Sequence, residues 1–243
     1  MAGKTIETSP QAYARTAGAI YLSIIVLGIF SQMTAMDAVV VPGDPAATAR
    51  NISASMTLWN LGVAGGLIIP IIGTIQLWIE YQLLRPVGRG AALLFLAFNI
   101  VSLAIESASK VFLLIVAPAV GGGGFIHPLP LADQEIFVRL AMALHFATFH
   151  VSLVFFGCAC LVNGWLVFRS GFLPRTIGVL MQLAGVAYLI VCFATLFAPV
   201  VARIISPGIL IVPLVGESAM CLWLLVFGVN VPRWNARIAA AAA

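Results

Sequence analysis

The chain has 243 residues, of which 62% are hydrophobic and only 8% charged, against about 25% charged in an ordinary soluble domain. With a mean hydropathy of +1.12 it has too few polar residues to cover a water-facing surface, so its solvent, and its first partner, is the lipid bilayer. The net charge of +4 comes without a basic stripe or an aromatic platform, which excludes nucleic acid as a partner.

Six apolar runs reach the roughly 20 helical residues that cross a hydrocarbon core, at about 17–36, 59–82, 91–118, 138–168, 177–202 and 207–230. They predict an all-α fold: a polytopic membrane protein, a six-transmembrane-helix bundle forming a single membrane domain over 1–243. The first run precedes the small residues of "SQMTAMDA" but is longer than a signal-peptide core, so it is expected to be retained. The loop "DAVVVPGDPAATARNISAS" follows. Its "NIS" at 51–53 fits a glycosylation acceptor and reads as chance. Glu80, near the inner end of the second run beside Arg85 and Arg89, reads as interfacial. The third and fourth runs are longer than a crossing needs, so they are expected to tilt or protrude. Between them lies "GGGGFIHPLPLADQ"; no Gly-Lys-Ser/Thr follows the glycines, so this is a loop and not a phosphate cradle. Trp59, Trp78, Trp165 and Trp234 fit interface belts, with Trp223 deeper. Cys158, Cys160, Cys192 and Cys221 all lie in apolar runs and read as small buried hydrophobes, without a disulfide framework.

Orientation follows from lysine and arginine near helix ends. One set of ends holds Lys4, Arg15, Arg85, Arg89, Arg169, Arg175, Arg233 and Arg237. The other holds Arg50 and Arg203, with Arg139 close by, and four acids: Asp37, Asp44, Asp133 and Glu135. Both termini, with tails 1–14 and 232–243, are therefore expected on the cytoplasmic side of a cell (cytoplasmic/inner) membrane. "RTAG" (15–18) opens the first run and "RTIG" (175–178) the fifth, an echo in which arginine anchors at head groups and glycine allows close packing.

The third run carries "NIVSLAIESASK". At 100° per residue, Asn99, Ser102, Glu106, Ser109 and Lys110 fall on one stripe. A charge at the bilayer centre costs at least about 2.5–3.5 kcal/mol, so this stripe is expected to face the protein interior. Glu106 and Lys110 stand in the favourable i,i+4 order for an ion pair, either a structural contact or part of a site. The fourth run carries His145 and His150, five residues and about 140° apart, so they cannot share one site. His145 shares a face with Ser152 and Asn163, and His150 with Arg139 and Gly157. That spacing is wrong for two zinc ligands on one helix, so no metal is expected. Glu217, near the middle of the sixth run, has no cation one turn away; it must find a partner elsewhere or keep a proton. The reading by elimination brings Glu217 to the Glu106–Lys110 stripe and to His150. No G-x-S-x-G, H-E-x-x-H or C-x-x-C-H is present, and no cofactor is implied.

"LVFRSGFLPRTIGVLMQLAGVAYLI" (166–190), "GESAMCLWLLVFGVN" (216–230) and "RTAGAIYLSIIVLGIF" (15–30) carry a resemblance over essentially the whole chain. They resemble the Ser-Gly-x-x-Pro block, the closing glutamate–tryptophan block and the opening block of DUF4386, a family of mainly prokaryotic integral membrane proteins. His150 matches a histidine that precedes the Ser-Gly-x-x-Pro block. Relatives often carry Phe-Arg-x-x-Glu in the third helix; here Phe98-Asn99-Ile100-Val101-Ser102 stands instead, with Glu106 and Lys110 further along the stripe. The resemblance implies fold and membrane location, not an activity.

Ionisable residues at one depth on three helices point first to binding or transport of a small molecule, proton-coupled, through a polar site between the third, fourth and sixth helices. The alternative is an intramembrane enzyme acting on a lipid or apolar substrate, with His150 or His145 as base and Glu217 or Glu106 as partner. A structural or accessory subunit is the third reading.

Overall fold

The computed structural model describes Ile6 and residues 9–121 and 129–242. It is all-helical, with no strand among the described residues. α1 (Pro10–Ser31) runs on through a π-helical turn at Gln32–Asp37. Then come α2 (Pro45–Ala54), α3 (Met56–Leu84), α4 (Arg89–Leu114), α5 (Val116–Gly121), α6 (Leu131–Ser170), α7 (Arg175–Phe197), α8 (Pro199–Ile209), α9 (Ile211–Val226) and α10 (Val231–Ala242). Most of "GGGGFIHP" lies outside the described residues.

Five stretches are long and apolar enough to cross a membrane: Pro10–Asp37, Met56–Leu84, Arg89–Gly121, Asp133–Ser170 and Arg175–Phe197. Pro199–Ser206 and Ile211–Val226 make a sixth if that pair, bent by 55°, is one span. Phe197 and Ile204 are 77% and 78% exposed, an arrangement that lipid, not water, accommodates.

The helix ends differ from the expected ones for local reasons. The fifth run was expected to continue to about 202, but α7 stops at Phe197. Pro199 cannot donate its backbone N–H, and Ala198 before it is driven out of the helical region. The loop after the first run contains α2, which the sequence reading missed. Asp44 caps it by accepting from the Ala47 N–H at 2.8 Å, and Pro45 occupies the first turn. Asn51, in the acceptor-like "NIS", donates its amide to Val39 O at 3.2 Å and holds the preceding turn.

The Ser170-Gly171-Phe172-Leu173-Pro174 block is a helix stop and start. Gly171 adopts φ +75°, the left-handed conformation that ends α6. Ser170 Oγ donates to Val167 O and accepts from the Leu173 N–H, and Pro174 leads into α7. Gly228, at φ +67°, closes α9 in the same way, its N–H donating to Trp223 O.

By internal packing the chain divides into two compact units: unit one comprises Met1–Ser23, Gly73–Leu103 and His150–Ala243, and unit two comprises Ile24–Ile72 and Ala104–Phe149. In unit one, α6 and α7 pack through glycines spaced seven apart, two helical turns, on each helix. A Cβ on Gly164 would stand 2.5 Å from Gly178 O, and one on Gly185 2.7 Å from Gly157 O. Only glycine allows this backbone contact, the usual means of helix association in lipid. Unit two packs Trp59, Val63, Leu113, Val138 and Met142 around Ile52 and Met36.

The tryptophan expectation needs correction. Trp78 and Trp165 are 55% and 40% exposed, as a belt requires, but Trp59 and Trp234 are fully buried. Each caps a helix. Trp59 Nε1 donates to Leu113 O in the last turn of α4, and Trp234 Nε1 donates to Leu83 O in the last turn of α3. These carbonyls have no partner within their own helices.

Candidate functional site

Within unit one a polar cluster is assembled from five helices. Glu217 on α9 is half-buried among apolar neighbours. Tyr21 on α1 donates to its Oε2 at 3.1 Å, and Tyr188 on α7 donates to its Oε1 at 2.5 Å. Phe156 packs edge-on against Tyr188. Glu80 on α3 is 4% exposed; Gln76 one turn earlier donates to Oε1 at 2.9 Å, and Asn163 on α6 donates to Oε2 at 3.3 Å. Cys160, one turn from Asn163 on α6, is buried. Asn163 Oδ1 is buried with no hydrogen-bond partner among the described residues.

Glu80, read from its sequence position as interfacial, is turned into the protein. Gln76 and Glu80 sit on one face of α3, and that face turns to Asn163. Neither carboxyl is paired with a cation among the described residues; each is held by neutral donors, two phenols for Glu217 and two amides for Glu80.

The third-run stripe is buried as expected at Asn99, Ser102, Ser109 and Lys110, and Glu106 is half-buried. Its members serve different units. In unit one, Asn99 donates to Phe95 O on its own helix, and Ser102 donates to Ser152 O on α6. In unit two, Glu106 and Lys110 form the expected ion pair at 3.7 Å. Lys110 stands over the Phe149 ring at 5.0 Å, and its stem runs beside Gly66. His145, 4% exposed, places Nδ1 3.1 Å from Ser109 O, so the Nδ1 proton is the donor; its ring stacks on Phe149. Arg139 is exposed and His150 half-buried.

The candidate set is thus divided. Glu217, His150, Asn99 and Ser102 belong to unit one, and Glu106, Lys110, His145 and Arg139 to unit two. The hydrogen-bond partners of Glu217 among the described residues are tyrosines. A signal for them was present. Ala17-Gly18-Ala19-Ile20-Tyr21-Leu22 and Ala184-Gly185-Val186-Ala187-Tyr188-Leu189 share the pattern Ala-Gly-x-x-Tyr-Leu. In both, the glycine makes a close backbone approach, Gly18 to α9 and Gly185 to α6. In both, the tyrosine three residues on reaches Glu217.

Apolar spans around a pair of acids without a cationic partner among the described residues define a polytopic helical membrane protein. The chain belongs to the family described as "Domain of unknown function (DUF4386)", whose sequence pattern matches residues 16–228. Among curated proteins and solved structures, none matches the chain.

Proposed function

We propose that the protein binds a small molecule within the membrane and moves it together with a proton, with Glu217 as the proton carrier. The observation that carries this reading is Glu217 itself, a carboxyl group within apolar helices whose partners among the described residues are two phenols and no cation. An unpaired carboxylate there is costly, and a group that takes and releases a proton relieves the cost at one stage of a cycle. Glu80 supports the reading as a second acid of the same kind in the same unit. Beside it, the open acceptor at Asn163 Oδ1 suits a water or the hydroxyl of a bound molecule. In unit two, Glu106, Lys110 and His145 offer a separate polar position for the small molecule.

The chain is read as lying in the cytoplasmic membrane with both termini inside. A cysteine placed at Asn235 should then be labelled only after permeabilisation, and one at Val41 in intact cells.

The function is tested in proteoliposomes filled with a pH-sensitive dye and challenged with a panel of amines, amino acids, sugars and carboxylic acids. A transported member should change internal pH with wild-type protein and not with Glu217→Gln, at equal amounts of folded protein. A substrate that moves unchanged in the variant would remove Glu217 from the mechanism.

A further inference from the structure

The end of unit one that carries α10 is rich in arginine, and among the described residues no carboxyl group of the unit is paired with it. Six arginines of this unit, Arg15, Arg89, Arg169, Arg175, Arg233 and Arg237, are exposed or half-exposed. The described acids of the unit, Glu80 and Glu217, are engaged by amides and tyrosines.

Four of these arginines are gathered by α10. Its Trp234 is buried and bonded to the end of α3. Asn230 N–H donates to Phe172 O, Arg233 Nη1 to Gly171 O, and Arg237 Nη2 to Arg169 O, so α10 is fixed across the α6–α7 turn. The guanidinium of Arg169 lies over Trp165 at 5.4 Å and that of Arg175 over Phe168 at 5.5 Å. Stacking of this kind holds the guanidinium plane and leaves its edge N–H groups available. A second observation points to a missing acceptor: Arg237 Nε is buried and has no hydrogen-bond partner among the described residues.

We infer that this surface binds the headgroup of an anionic phospholipid, whose phosphate is taken by Arg233 and Arg237 with Arg169 and Arg175 flanking it. Guanidinium groups match phosphate oxygens in geometry and charge, and at the ends of membrane-spanning helices phosphate is supplied by the bilayer itself. Phosphatidylcholine carries the same phosphate with a fixed cation, which an arginine cluster repels, so a net negative headgroup is selected.

The test uses the purified, delipidated full chain in detergent. Its melting midpoint and the lipid it retains in native mass spectrometry are measured with added phosphatidylglycerol, phosphatidylcholine or inorganic phosphate. Phosphatidylglycerol should raise the midpoint and be retained, while phosphatidylcholine and inorganic phosphate should do neither. Arg233→Gln/Arg237→Gln should lose at least half of the rise. Because that variant also loses two bonds to backbone, Arg169→Gln/Arg175→Gln is the companion: the side chains of Arg169 and Arg175 make no such bonds among the described residues, so it should fold normally and still lose part of the rise. Arg139→Gln, in unit two, should keep all of it. Equal shifts with both lipids, a full shift with inorganic phosphate alone, or full retention in both double variants would overturn the assignment.

Discussion

Tyr21 and Tyr188 meet at one carboxyl group, each donating its phenolic proton to a different oxygen of Glu217, over 3.1 and 2.5 Å. They come from α1 and α7, 167 residues apart in sequence, and each stands in the same Ala-Gly-x-x-Tyr-Leu pattern. One half-buried acid thereby joins three helices.

Removing either phenol leaves a carboxyl oxygen without its donor. Tyr21→Phe and Tyr188→Phe should each cost about 1–3 kcal/mol. The triple change that also replaces Glu217 with Leu should recover most of this, because no polar group is left stranded. Thermal melting in detergent measures both; single changes without effect would show that the phenols do not hold the acid.

The glycine contact between α6 and α7 makes a prediction of opposite sign at two positions. Gly164→Ala puts a Cβ 2.5 Å from Gly178 O and should destabilise by about 1–3 kcal/mol, through forced separation of the helices. Gly90→Ala, in the first turn of α4 with open space around it, should be neutral or stabilise by up to about 1 kcal/mol. Melting of the two variants side by side checks the contrast.

The Glu106–Lys110 pair should behave as a buried ion pair. Glu106→Ala strands Lys110 and should cost about 3–5 kcal/mol, more than Glu106→Leu with Lys110→Met together. A double variant less stable than the single one would mean that the pair does more than neutralise itself. Gly66→Ala should also weaken the site, since its Cβ would lie 3.3 Å from Lys110 Cε.

Trp59→Phe removes the donor to Leu113 O and should lower stability by about 1–3 kcal/mol. Trp78→Phe, at a side chain 55% exposed, should stay within about 0.5 kcal/mol. Chemical denaturation followed by helix content distinguishes them.

Much of this was legible in the sequence because lipid imposes a simple rule: long apolar runs must be helices. The runs, the buried stripe and the Glu106–Lys110 pair follow from hydropathy and a period of 3.6. The illegible parts depend on neighbours far away in sequence. Trp59 and Trp234 have the composition of a belt, yet a helix end placed beside each indole made them caps. Glu80 lies near arginines in sequence, but the face it shares with Gln76 looks at Asn163. Glu217 was matched only with cations and histidines, although a phenol donates to a carboxylate as well. α2 was legible and missed, since Asp44-Pro45 is a helix-start signal inside a segment read as loop.

The central claim is that Glu217 takes and releases a proton inside the membrane, and infrared difference spectroscopy of the reconstituted protein tests it most directly. Over a pH titration the account predicts a protonated-carboxyl C=O band that disappears as pH rises, shifts in deuterated water, moves in Tyr188→Phe and is absent from Glu217→Gln. Identical spectra for wild type and Glu217→Gln across the titration would contradict it.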